Sequence, residues 1–273
     1  MSEYDDFVDE SDDDRPRDAM VDVAIDRLRK LFQEYPRRLF YSTQIETMLE
    51  RELFHWITSR ALLELSQARE VQREAILVAG QNINFYAHKG HRYLRREAAA
   101  MVSVLERIHH PDFKHAIGRQ GELMFDAALG RQGFRAIAMN ARAWQGHEWT
   151  ITKHNLDRII ERDGLVYGVE IKNTQNYIRS DELQIKLQLC AYLQLIPLLI
   201  MRQAAKSYMH DIWRAGGFGL LFEEQLYPLG HDRLLSDVRA TLGLKVQCPI
   251  NIKQGDMQRL ENFHLKLLQK QRS

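Results

Sequence analysis

The chain has little cysteine, no long apolar run and no excess of either charge. Among 273 residues only Cys190 and Cys248 are cysteines, and neither has a second cysteine or a histidine at metal-ligand spacing. That excludes a disulfide scaffold and a zinc finger, and both thiols are expected to be buried and reduced. No apolar stretch reaches 18 residues; the longest, Leu187 to Met201, is broken by Gln188 and Gln194, so no membrane span is expected. The first residues are acidic and lack the basic and apolar regions of a secretory signal, which predicts a cytoplasmic protein, nucleoid-associated or, in a eukaryote, nuclear. No Gly-x-x-x-x-Gly-Lys loop occurs, and Gly216-Gly217-Phe218-Gly219 lacks the following lysine, so no ATP-driven motor is expected. What is present is ordinary globular composition, 45% hydrophobic and 27% charged.

The net charge of +1 divides unevenly. Residues 1–19 carry nine acids against Arg15 and Arg17, a net of −7 that leaves +8 on residues 20–273. This predicts a disordered acidic tail on a basic body of the kind that binds polyanions, the tail contacting a protein partner or that basic surface.

After the tail, apolar positions at Val21, Ala24, Ile25, Leu28, Leu31 and Phe32 predict a helix ended by Pro36. A second helix is expected over 44–51, capped by Ser42 or Thr43, and a third to about Ala68. Strands over 71–79 and 82–87 flank the Gly80-Gln81 turn. Three helices and a hairpin resemble a winged helix-turn-helix over residues 20–90. The resemblance implies a third helix in a DNA major groove, with Arg60, Arg69, Arg73 and Lys89 as candidate contacts. A helix over 93–109 leads onward. From 113 to 229 the elements alternate as helix, three strands, helix, strand, helix and strand, an α/β pattern. The middle strands are expected over 134–139, 150–161 and 165–173, the last two joined by Asp163-Gly164. The final segment, with a strand over 243–250 and a helix over 256–270, reads as an accessory.

The strand after Asp163-Gly164 carries the chemistry. Leu165, Tyr167, Val169 and Ile171 form one apolar face, while Val166, Gly168, Glu170 and Lys172 form the other. The strand therefore ends by presenting a carboxylate beside an ammonium, and Asp157 on the preceding strand can reach the same point. Two converging acids repel and need a cation; oxygen ligands suit Mg²⁺ or Mn²⁺.

Asp157, the hairpin turn and Glu170-Ile171-Lys172 resemble the core of the PD-(D/E)XK nuclease superfamily. Gly118-Arg119-Gln120-Gly121-Glu122 with Gly133-Phe134 is similar to resolvase-like members, and Gln188 to Tyr192 matches the Gln-x-x-x-Tyr motif of RecB-type nucleases. Leu156 stands where proline often precedes the aspartate. Glu122 stands where RecB-type members carry histidine, which favours a resolvase- or restriction-like relative.

The resemblance implies an α/β fold: a restriction-endonuclease-like core, a mixed β-sheet flanked by helices, preceded by a mainly helical winged-helix-like domain. The implied organisation is a tail over 1–19, a nucleic-acid-binding domain over 20–110, a nuclease domain over 111–230 and an accessory segment over 231–273. It implies a Mg²⁺-dependent DNA nuclease, Mn²⁺ substituting, for restriction, repair or junction processing. Asp157, Glu170 and the Ile171 carbonyl would hold the metal, Lys172 would orient the attacking water, and Glu122 would bind a second metal or its water. Gln184, Gln188 and Tyr192 would hold the DNA strand, and Lys186, Arg202 and Lys206 could line a phosphate track. Cutting both strands calls for two sites, hence a possible homodimer. The alternatives are a catalytically inactive DNA-binding or scaffold protein and an RNA-cleaving relative.

Overall fold

A computed structural model describes residues 17–272. The acidic tail expected over 1–19 falls, for residues 1–16, outside them. The chain forms two compact units, Met1–Lys114 with Ser236–Leu244, and His115–Leu235 with Lys245–Ser273. The expected boundaries at 110 and 230 thus shift to 114 and 235, and the expected accessory segment is divided between the units.

The first unit opens with α1 (Met20–Glu34), whose stripe Val21, Ala24, Leu28, Leu31 and Phe32 is buried. It continues with β1 (Leu39–Tyr41), α2 (Ser42–Leu49), α3 (His55–Gln67), β2 (Val71–Val78), β3 (Gln81–His88) and α4 (Leu94–His109). Leu28 and Phe32 share a core with Phe40, Ile45, Leu62, Leu65, Val71 and Tyr86. The sheet order is β1-β3-β2, so β1, unforeseen in the sequence, adds a third strand to the expected hairpin. Three residues are too few to show alternation. Ser42 and Thr43 lie inside α2; Tyr41 takes the cap position, and its backbone N–H donates to Gln44 Oε1 at 3.4 Å. A π-helical turn, Val238–Leu242, packs on α4, and Arg107 Nη1 donates to Asp237 Oδ2 at 2.6 Å.

The second unit is built from α5 (Pro111–Arg131), β4 (Arg135–Ala141), β5 (Ala143–Trp144), β6 (His147–Glu148), β7 (Leu156–Arg162) and β8 (Leu165–Lys172). Then come α6 (Ser180–Tyr192), β9 (Ile196–Met201), α7 (Lys206–Arg214), β10 (Phe218–Leu221), β11 (Gln225–Leu226), α8 (Asp232–Asp237), β12 (Val246–Gln247) and α9 (Gln254–Arg272). Its five-stranded sheet has the order β10-β9-β8-β7-β4. β4, β7 and β8 run antiparallel, while β8, β9 and β10 run parallel. Parallel neighbours need a crossover, and α6 and α7 supply the two. The chain is α/β with mixed and antiparallel sheets.

The sheet is covered on both faces. Leu165, Tyr167, Val169 and Ile171 pack with Phe125, Ala128 and Leu129 of α5 and with Met257 and Leu260 of α9. Val166 packs on the other side with Leu189 and Cys190 of α6. A Cβ on Gly168 would lie 2.7 Å from Cys190 Sγ, so glycine is what lets α6 approach. α9 is core, and its fully buried His264 bonds Tyr167 Oη at 2.8 Å through Nδ1 and Asp163 Oδ2 at 3.0 Å through Nε2.

The strand expected from 150 begins only at Leu156. Before it the backbone is spent on local side-chain bonds: Arg142 Nη2 donates to the carbonyls of Trp149 and Thr152, and the His154 N–H donates to Thr152 Oγ1 at 3.3 Å. Both cysteines are free; Cys190 is buried, but Cys248 is only partly so. Among the described residues no helix is long and apolar enough to cross a membrane.

Candidate functional site

The register of β7 against β8 runs from Arg162↔Leu165 to Arg158↔Val169 and stops there. One residue further, a side chain continues the ladder: the Ile171 N–H donates to Asp157 Oδ2 at 2.7 Å. This fixes Asp157 beside Glu170, which faces α6 and is 2% exposed. Lys172 Nζ stands 3.1 Å from Glu170 Oε1 and 2.6 Å from Glu182 Oε1 on the first turn of α6. Lys186, one turn further along, brings Nζ to 2.6 Å from Glu170 Oε2 and donates to the Asn155 carbonyl. Two strands and one helix thus bring Asp157, Glu170, Lys172, Glu182 and Lys186 together at one end of the sheet.

Electrostatics follow from enclosure. Burial pushes the Asp157 carboxyl up, with Glu122 adding to the rise, while the Ile171 N–H, Lys186 and Lys172 oppose it. Burial also pushes Glu170 up, and the neighbouring Asp157 charge adds to this against the two lysines. Acids in this state favour either a proton or a cation. Glu170 Oε2 is buried, and its close partner is the Lys186 ammonium at 2.6 Å. Among the described residues no three or more His, Cys, Asp or Glu side chains gather to hold a metal ion. Two carboxylates nevertheless suffice for Mg²⁺, which keeps several waters and shares phosphate oxygens, and the enclosed oxygens of Asp157 and Glu170 fit that demand.

No family model, curated protein or solved structure matches the chain.

The other expected site residues have partners of their own. Glu122 is held by Arg158, whose Nη2 donates to its Oε2 at 2.9 Å, and not by the acid pair. Arg158 also donates to Asp126 and, through Nη1, to the Asp157 carbonyl at 2.7 Å. Gln184 and Gln188 are exposed on α6, Gln184 donating to Asp211 Oδ2 at 3.0 Å. Tyr192 is exposed too, its ring edge-on to His147 and Trp149. Arg202 is buried, spent on the carbonyls of Thr174, Gln175 and Glu223, and so leaves the expected phosphate track; Lys206 is exposed. In the first unit, Arg60 pairs with Glu64 at 3.6 Å and Arg73 Nε donates to Asn84 Oδ1 at 3.1 Å.

Glu182 and Arg158 are the residues that sequence reasoning missed, while Lys186, expected on a phosphate track, is instead buried against Glu170. Lys186 had one local signal: it sits between Ile185 and Leu187 in a helix apolar on more than one side, where a charge must find a buried partner. Gly121 has a packing role, since a Cβ there would lie 2.6 Å from Asn173 Cβ. Asn173 extends the strand end by donating to the carbonyls of Ile117 and Leu226.

Proposed function

We propose that the chain is a Mg²⁺-dependent deoxyribonuclease of the PD-(D/E)XK kind, with residues 20–110 serving as a winged-helix-like DNA-binding module. One observation carries this reading: Asp157 is tied to the Ile171 amide at 2.7 Å, in register with a buried Glu170 and with Lys172 beside it. Two enclosed carboxylates at one strand end, with burial opposing their ionised forms, support a functional site there.

Asp157 and Glu170 would hold the cation, which would supply charge against a phosphate oxygen and acidify a water. Lys172, held between the carboxylates of Glu170 and Glu182, would orient the water and offset charge building on the phosphoryl oxygens. The Ile171 amide locks the orientation of Asp157, so the acid pair needs no rearrangement as a substrate arrives. Exposed Gln188, with Gln184 and Tyr192, forms the α6 face along which a strand backbone lies. Glu122 acts at one remove, through the Arg158 bond that also holds the Asp157 carbonyl.

The test is incubation with plasmid, linear, branched and single-stranded DNA and with RNA, in Mg²⁺, Mn²⁺ or EDTA, beside Glu170→Ala and Lys172→Ala. Metal-dependent cleavage of DNA that falls at least about a hundredfold in both variants is expected. Binding without cleavage would make the chain a scaffold, and cleavage indifferent to both substitutions would remove the site.

A further inference from the structure

Lys186 has no part in the chemistry above, yet it is the more deeply buried of the two lysines on Glu170, its side chain 5% exposed against 18% for Lys172. A buried ion pair of this kind adds little stability over apolar side chains of the same volume, because both charges must be stripped of water. Lys172 divides its charge between Glu170 and Glu182, whereas Lys186 is turned on Glu170 and the Asn155 carbonyl.

We propose that Lys186 is a built-in competitor for the divalent cation: its ammonium neutralises Glu170 when no metal is bound and withdraws when the ion arrives. This rests on the reading of Asp157 and Glu170 as the cation ligands. Lysine suits the part because its charge rides on a flexible four-carbon stem and can swing without moving α6. The Asn155 carbonyl, immediately before β7, gives the ammonium a partner once Glu170 is taken. The device raises the cation concentration at which the site fills, and it prevents Asp157 and Glu170 from repelling each other while the site waits.

The test is Mn²⁺ binding to the full-length protein by calorimetry, with no substrate present, for wild type, Lys186→Met, Lys186→Arg and Glu170→Gln. Removing the competing charge is expected to tighten Mn²⁺ about tenfold or more in Lys186→Met, while Lys186→Arg stays near wild type. Lys186→Gln gives a second uncharged variant should the methionine protein fold poorly. In parallel, Mn²⁺ should raise the melting temperature of Lys186→Met more than that of wild type, because the ion replaces the missing countercharge. Affinity unchanged or weakened in the uncharged variants, with wild type binding and Glu170→Gln not, overturns the competitor while leaving the metal site standing. Absence of Mn²⁺ uptake by every protein overturns both.

Discussion

Arg158 is the point where the packing of the second unit and the geometry of its site meet, and replacing it tests both. Its side chain is 4% exposed and bonds Glu122 and Asp126 on α5, while Nη1 holds the Asp157 carbonyl at 2.7 Å. Arg158→Met keeps much of the apolar volume and removes the charge and every one of those bonds. Breaking a fully buried pair costs about 3–5 kcal/mol. Glu122 and Asp126 are 35% and 34% exposed, so they can turn to water, and the expected loss is nearer about 2–3 kcal/mol. At about 2–4 °C per kcal/mol, the melting temperature should fall by about 4–12 °C. Thermal and urea unfolding in EDTA at pH 7 measure this. Adding Glu122→Gln and Asp126→Asn should recover part of the loss, because the orphaned acids then carry no charge. A variant within about 1 kcal/mol of wild type would refute the reasoning, since it would mean that the fork holds nothing that methionine does not.

Two further predictions concern other parts of the molecule. In the first unit, burial pushes the Glu46 carboxyl up to about 7, opposed by a 2.6 Å hydrogen bond from Ser59 Oγ. The folded state therefore keeps a proton that the unfolded chain loses above the ordinary carboxylate range, so stability is greatest at low pH and declines as pH rises towards 7. The shift corresponds to at most about 3 kcal/mol. Because the residue as a whole is partly exposed, we expect about 1–2 kcal/mol; urea midpoints at pH 5 and pH 8 should show this slope in wild type and its absence in Glu46→Gln. On α5, Gly121→Ala should cost about 1–3 kcal/mol because its methyl would strike Asn173. Gly130→Ala, with nothing within 4 Å, should instead gain about 0.5–1 kcal/mol; equal melting temperatures for the two alanine variants would remove the steric argument.

What could be read in the sequence was whatever the chain writes locally. The period-two pattern of Leu165 to Lys172 and the Asp163-Gly164 turn led directly to the β7–β8 hairpin, and hairpin register brought Asp157 to the strand end. The turn has positive φ at both residues, as its composition requires. The lysine contact of Glu170 was not legible, because Lys186 comes from a crossover helix whose rotation depends on Gly168 admitting Cys190. Glu122 was read as a site acid from a helix motif, but its destination depended on Arg158, an inward-facing residue one position beyond the aspartate. The pattern of α9 was visible as amphipathic, while the core position of His264 depends on Tyr167 nearly a hundred residues earlier.

The bonds at the two ends of the β7–β8 hairpin have a mechanical consequence. At the turn, His264 clasps Asp163, and at the opposite end the Ile171 amide clasps Asp157. The hairpin is a beam fixed at both supports, and Asp157 and Glu170 ride on it without play of their own. Compliance in the site belongs to the long side chains of α6, where Glu182 and Lys186 reach in from the helix that crosses beside the beam. Motion that admits or expels a charge is therefore a movement of tethers against a stationary anvil.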